Sequence, residues 1–334
     1  MKRILITGAS GFIGSFLTEK ALEKGFETWA AVRKNSSRKY LSDSRIHFIE
    51  LDFSNAEKLK DSLKDVQFDY VVHAAGTTKA VDKADFFRVN ARGTAFLADA
   101  LVNTQEHLQR LVFISSLSVM GAIHEQQPYT EIADSDQPQP NTYYGKSKLQ
   151  AENYLEEARQ KALSKGKDLK YIVLRPTGVY GTREKDYMMM VDSIKKHVDF
   201  AVGLKPQDIT FIYVRDLVKA VFLSLEGGVV GKKYFLSDGN VYQSKTFSQF
   251  IRKQLGIGFC MRMVAPLWLL RIVTTIGDCQ ARMTGKITAL NNDKYHILKQ
   301  RNWRCDISAA RSELGYDADY DLARGVEEML NFQS

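Results

Sequence analysis

Short apolar runs alternate along this chain with longer stretches whose apolar residues recur every three or four positions. The runs Lys2 to Thr7, Glu27 to Val32, Ile46 to Glu50, Tyr70 to His73, Leu111 to Ser115, Tyr171 to Arg175 and Tyr234 to Ser237 predict buried strands. The stretches Phe12 to Lys24, Ala84 to Val102, Tyr143 to Lys161 and Arg215 to Glu226 predict helices. Strands alternating with helices imply right-handed βαβ units and a parallel sheet covered on both faces, an α/β doubly wound architecture of Rossmann type. After about Arg175 the alternation loosens. The region Ile257 to Gly285 carries Met261, Met263, Trp268, Ile272 and Ile276, and predicts a smaller, mostly helical part over the carboxyl edge of the sheet. Core packing is the expectation for its apolar residues, with Met as gap filler, ahead of a greasy pocket or a membrane contact.

The turn after the first strand is Thr7-Gly8-Ala-Ser10-Gly11-Phe12-Ile13-Gly14. In a strand, glycine turn, helix setting the first glycine allows the tight bend, a later one lets backbone approach a pyrophosphate, and the last lets helix and strand pack closely. The helix N-terminus then offers N–H groups and a positive dipole end to phosphates. Gly8, Ser10, Gly11, Phe12, Ile13 and Gly14 are therefore candidate dinucleotide contacts. An NAD enzyme wants an Asp or Glu about 20 residues on, where the second strand meets the adenosine ribose. Here Val32 is followed by Arg33, and a guanidinium matches a 2′-phosphate in charge and geometry. NADP is expected, with NAD possible.

Composition narrows the class. The 334 residues are 44% hydrophobic, enough for a sizeable core. No segment reaches membrane-span length, and Met1-Lys-Arg runs straight into a strand, so no signal peptide and a cytoplasmic home are expected. Cys260, Cys279 and Cys305 form neither a disulfide framework nor a zinc pattern, and no metal site is expected; all three read as buried or partly buried thiols. The formal charge of +8 suits an anionic cofactor, but its scattered cations carry no nucleic-acid motif.

Tyr144 and Lys148 stand four apart on a predicted helix and so share a face. An ammonium about 6 Å from a phenol, at an effective dielectric of about 20, stabilises the phenolate by roughly 2 to 3 kcal/mol. That amounts to about two pKa units and tunes the tyrosine as a proton donor and acceptor. The run Phe113-Ile-Ser115-Ser116-Leu-Ser118 would deliver a hydroxyl to the same edge, with Ser116 preferred and Ser115 and Ser118 as rivals. His73 reads as a satisfied strand-end histidine.

These residues resemble the extended short-chain dehydrogenase/reductase family, that of the NAD-dependent epimerases and dehydratases, over nearly the whole chain. The matching pieces are Thr7 to Gly14, Asp52-Phe53, His73 to Gly76, Asn90 to Thr94, Ser115 to Gly121, Tyr144 to Lys148, Arg175 to Gly181 and Val214-Arg-Asp216. The resemblance implies Ser116, Tyr144 and Lys148 as the catalytic triad, with Asn90 bracing the site or a water chain. It places Asp52 and Phe53 beside adenine, Ala74, Ala75 and Gly76 along ribose and phosphates with Ser115 close by, and Arg175, Pro176 and Thr177 beside the nicotinamide. Met120 stands where the family usually has Tyr. The tail, Ala281 to Gly285, Trp303 to Asp306 and Glu313 to Tyr316, is similar to bacterial relatives of dihydroflavonol reductase and 3β-hydroxysteroid dehydrogenase. Residues 1–175, with 207–240 returning, are then the NADP-binding domain, and 176–206 with 241–334 the substrate region.

The expected activity is NADPH-dependent reduction of a ketone or aldehyde, or the reverse on an alcohol, with a fairly apolar substrate. A nucleotide-sugar epimerase would use the same triad; the sugar dehydratases' Asp-Glu pair is replaced here by Leu117-Ser118. Arg183, Lys185, Lys195 and Lys196 could meet a sugar diphosphate, although a solvated face suits them better. A non-catalytic NADP-binding protein is the remote alternative. Partners expected are the small molecule and, at family level, a second copy as a homodimer.

Overall fold

The computed structural model describes residues 1–286, 288 and 291–331; residues 332–334, the end of the predicted substrate region, lie outside them. Six parallel strands, β1 (Arg3–Thr7), β2 (Glu27–Val32), β3 (His47–Glu50), β4 (Tyr70–His73), β5 (Arg110–Ile114) and β6 (Tyr171–Pro176), stand in the spatial order 3-2-1-4-5-6. That order reverses direction at β1 and β4, where doubly wound sheets open a crevice for ligands. The chain then forms β7 (Gly178–Tyr180), β8 (Val198–Val202), β9 (Asp208–Ile209) and β10 (Phe211–Tyr213) outside the sheet. Strand β11 (Lys233–Leu236) returns as a seventh parallel strand beside β6. Two further short strands, β12 (Tyr242–Gln243) and β13 (Met261–Ala265), pair with β9 and β8.

The first helices are α1 (Phe12–Glu23), α2 (Ala56–Leu63), α3 (Lys83–Phe86), α4 (Gly93–Thr104) and α5 (Tyr143–Leu163), followed by α6 (Lys185–Lys195) and α7 (Val214–Glu226). Strand alternation sorts the core into two layers. Ile4 and Ile6 of β1 share one cluster with Leu17 of α1 and Leu217 of α7, whereas Leu5 joins Leu59 of α2, Leu97 of α4 and Leu155 of α5. The β1 interior is thus apolar on both sides because each side meets helices. The single helix predicted over Ala84 to Val102 is instead α3 and α4 joined by a π-helical turn, Phe87–Arg92. The wider turn carries Asn90, whose buried side chain bonds outside its own helix, and π turns often occur at functional sites.

The C-terminal part adds α8 (Thr246–Gln254), α9 (Leu267–Thr284), α10 (Asn292–Lys299), α11 (Ser308–Leu314) and α12 (Leu322–Asn331). It is tied to the sheet half by Asp216 of α7, whose fully buried carboxylate accepts the backbone N–H groups of Asp319 and Tyr320 at 2.9 and 3.1 Å. Burial pushes the Asp216 carboxyl up to about 6. Two expectations fail here. The apolar residues of 257–285 do not form a core: Trp268, Ile276 and Met283 are 65%, 62% and 87% exposed, and on α9 only Leu270, Thr274 and Ala281 are buried. The described structure covers only one side of α9, so the remaining apolar arc faces outward. Cys279 lies on that helix and is exposed, whereas Cys260 and Cys305 are buried free thiols.

Candidate active site

The glycine turn closes β1 onto α1 with three distinct constraints. Gly8 has φ of 70°, and a Cβ there would sit 2.7 Å from the backbone of Ala75. A Cβ on Gly14 would overlap the Gly8 carbonyl. Only Gly11 opens outward, with the Gly8 oxygen its single near neighbour, and no side chain caps the first turn of α1 behind it. Bare N–H groups beside an open glycine fit a pyrophosphate. The Ala74 and Ala75 amides lean on Thr7, at 3.3 and 3.2 Å, which holds the 74–76 segment against the turn.

Beyond β2, Arg33 is exposed, and its backbone N–H donates to Ser36 Oγ at 2.9 Å. Arg38, by contrast, lies 4.2 Å over the Phe48 ring. Asp52 is exposed and accepts from the Ser54 N–H and hydroxyl, while Phe53 stacks on His73 at 5.8 Å. The buried His73 ring lies between Thr7 at 2.7 Å and Thr94 at 2.9 Å, and burial drives its pKa to about 3. Burial thus keeps the ring neutral near pH 7.

The candidate pair, Tyr144 and Lys148, stands at the start of α5. Thr142 caps the helix by accepting the Gly145 N–H at 2.9 Å, and Asp293 of α10 accepts the N–H groups of Tyr143 and Tyr144 at 3.1 and 2.9 Å. A Cβ on Gly145 would overlap the Ser118 carbonyl, so α5 presses directly on the turn bearing Ser116. The Ser116 hydroxyl thereby reaches the Tyr144 phenol. Ser115 is unavailable: its hydroxyl donates to the buried Glu152 at 2.6 Å. Lys148 points inward, donating to the Ile114 carbonyl at 2.6 Å and lying 4.4 Å over the Phe113 ring. Asn90 braces this floor, accepting the Thr77 N–H at 2.7 Å and donating to Ser147 Oγ and the Thr77 carbonyl, both at 3.0 Å.

Electrostatics correct the sequence-based expectation for the pair. Burial pushes the Tyr144 phenol up to about 12, with only the Ser116 contact pulling it down. Burial also brings the Lys148 ammonium down to about 7, opposed by the Glu152 charge. Desolvation outweighs the Coulomb lowering argued from spacing alone, because Lys148 is turned toward the floor of the sheet.

Of the 175–177 segment, the Arg175 and Thr177 side chains are already engaged. Arg175 donates to both carboxylate oxygens of Glu152, at 3.1 and 2.6 Å, and reaches Met120 Sδ at 3.5 Å; Thr177 Oγ1 donates to the Thr210 carbonyl at 2.8 Å. Met120 is fully buried beside Arg175. Three residues escaped sequence reasoning. Glu152 continues the four-residue spacing of Tyr144 and Lys148 and was findable by it. Asp293 and Asp186 had no such signal. Asp186 accepts from Lys79 at 2.6 Å and from Lys294 at 3.1 Å, joining the 76–82 loop, α6 and α10.

The model of the "NAD dependent epimerase/dehydratase family" matches residues 4–236. Among curated proteins, the chain is 23% identical to the decarboxylating sterol-4-alpha-carboxylate 3-dehydrogenase of Dictyostelium discoideum, over 98% of this chain and 100% of that protein. It is 23% identical to a monkeypox virus 3 beta-hydroxysteroid dehydrogenase/isomerase, over 93% and 92%. Its fold matches the UDP-glucose 4-epimerase of Thermotoga maritima with a TM-score of 0.78 at 20% identity, over 99% of this chain and 98% of that one.

Proposed function

The chain belongs to the NAD-dependent epimerase/dehydratase family and is an enzyme; on that premise we propose that it is an NADPH-preferring oxidoreductase. It reduces a ketone or aldehyde on a fairly apolar substrate, or oxidises the corresponding alcohol. The observation carrying the cofactor preference is Arg33, exposed just past β2 where an NAD enzyme of this fold holds a carboxylate. The substrate class rests on the sterol and steroid dehydrogenases among the relatives. It is also favoured by Arg183, whose guanidinium is spent on Ser15 and Glu19 rather than free for a sugar diphosphate.

A nicotinamide cofactor would supply or accept the hydride here. Gly11 and the start of α1 would hold its phosphates, with Ser10, Phe12, Ile13 and the 74–76 segment alongside. Asp52 and Phe53 would border the adenine, and the 175–177 segment would reach the nicotinamide through Pro176 and backbone, since its other side chains are engaged. Ser116 orients the carbonyl oxygen. Tyr144, protonated at neutral pH with a pKa near 12, donates its proton to that oxygen as negative charge develops. Lys148 would bind the ribose, and Asn90 holds the floor beneath.

Turnover of NADPH with a panel of ketones and aldehydes, a ketosteroid among them, tests this. Tyr144→Phe is expected to lower kcat by about 10²- to 10⁴-fold while NADPH still binds. Silence across the panel with tight cofactor binding would replace the reductase with a sugar-nucleotide epimerase. Arg33→Asp is expected to weaken NADPH about tenfold or more and NADH little; equal losses would remove the 2′-phosphate role.

A further inference from the structure

We propose that α9 and the strand pair leading into it form a docking surface for an anionic lipid bilayer, on which the protein lies without crossing. Taking 100° per residue, Trp268, Cys279, Ile272, Met283, Ile276 and Leu269 fall within an arc of roughly 100° on α9. Leu270, Thr274 and Ala281, the buried positions, occupy the opposite side. The five apolar members of the outward arc are 40% to 87% exposed. Strand β13 runs through Pro266 directly into α9, and with its partner β8 it exposes Met261, Met263 and Phe200 at 52%, 44% and 63%. Monomeric proteins rarely leave so many large apolar side chains together in water.

Charge selects the occupant. Residues 245–286 hold seven Lys or Arg and one acid, Asp278, so this stretch carries six of the chain's formal +8. Asp278 accepts from Asn292 at 2.6 Å and is turned toward α10. On α9, Arg271 and Arg282 flank the apolar arc at one edge, with Lys286 just beyond the helix; all three are exposed. A large apolar face with cations along one edge and Trp in it fits a surface that is apolar within and anionic at its boundary with water. No described helix is long and apolar enough to cross a membrane, which makes α9 an in-plane element. The surface adjoins the reactive pair, since α9 packs on α10 and α10 supplies the Asp293 carboxylate at the Tyr144 amide. The proposal stands apart from the choice of substrate.

Flotation of the full chain with vesicles of phosphatidylcholine, with and without about one third phosphatidylglycerol, tests it. The expected result is binding to the anionic vesicles at least about tenfold tighter than to the neutral ones, weakened at about 0.5 M salt. The pair Ile272→Asp with Ile276→Asp should abolish binding, and Arg271→Glu with Arg282→Glu should weaken it about tenfold or more. NADPH binding and thermal midpoint of the variants report that the fold is kept. Absence of wild-type binding to anionic vesicles, or full binding by the Ile→Asp pair, overturns the proposal. If vesicles do not bind and the chain is a dimer that the Ile→Asp pair converts to monomer, the face belongs to a second copy.

Discussion

The sheet half and the segment 257–286 are both rich in apolar side chains, yet the first buries them and the second displays them. In the sheet, Ile4, Leu5 and Ile6 are all buried because helices cover both faces. The polar groups beneath the site are matched just as closely: His73 sits between two threonines, and Glu152 takes bonds from Ser115 and Arg175. On α9 the helical period is equally clear, but one narrow side is buried, with α10 packed on the helix, and the apolar arc is left 40% to 87% exposed. Periodicity therefore identifies an amphipathic helix without naming the medium its apolar face meets.

The contrast breaks most sharply at Glu152. Its carboxylate is fully buried, and its partner Arg175 has an 8% exposed side chain, so Glu152→Ala leaves a buried guanidinium uncompensated. A loss of about 3 to 5 kcal/mol in unfolding free energy is expected from urea titration. Less than about 1 kcal/mol would mean that water reaches Arg175 and that the sheet half is not the closed interior described.

Much of this half was legible in the sequence. All seven strands of the sheet lie where apolar runs predicted them, because strands covered on both faces carry near-continuous apolar runs. The glycines at 8, 11 and 14 carried their own geometry. Glu152 was readable in principle from its spacing with Tyr144 and Lys148. Asp293 was not, being 149 positions from the amide it accepts, and nothing local marks such a contact. The π turn at 87–92 was hidden because one added residue per turn leaves the apolar period almost unchanged over so short a span. The outward face of α9 was hidden for the reason that opens this comparison: composition suits a core and a docking surface alike.

A smaller effect is expected from Lys148. In the cofactor-free protein its pKa of about 7 lies below the ordinary 10.5 because the ammonium is buried. Between pH 7 and 10.5 the unfolded chain then binds more protons than the folded one, so this residue's contribution to stability improves as pH rises through that window. Lys148→Met should stabilise the cofactor-free protein at pH 7, and the advantage should shrink toward pH 10. Tyr144, raised to about 12, works in the opposite direction only above pH 10. Unfolding free energies of both proteins across pH 6 to 9.5 check the slope, and an advantage that grew with pH would contradict a buried ammonium.

The smallest effect belongs to α9. Ile276 is 62% exposed and Leu270, six residues earlier and on the buried side, is 5% exposed. Ile276→Ser should change stability by no more than about 0.5 kcal/mol, as expected of a surface position, whereas Leu270→Ala should cost about 2 kcal/mol or more through lost burial and a cavity. Thermal and urea unfolding of the two variants side by side decide it. Equal and large costs would mean that the chain's own residues cover the arc; α9 would then join the core, and its surface would have nothing left to offer a bilayer.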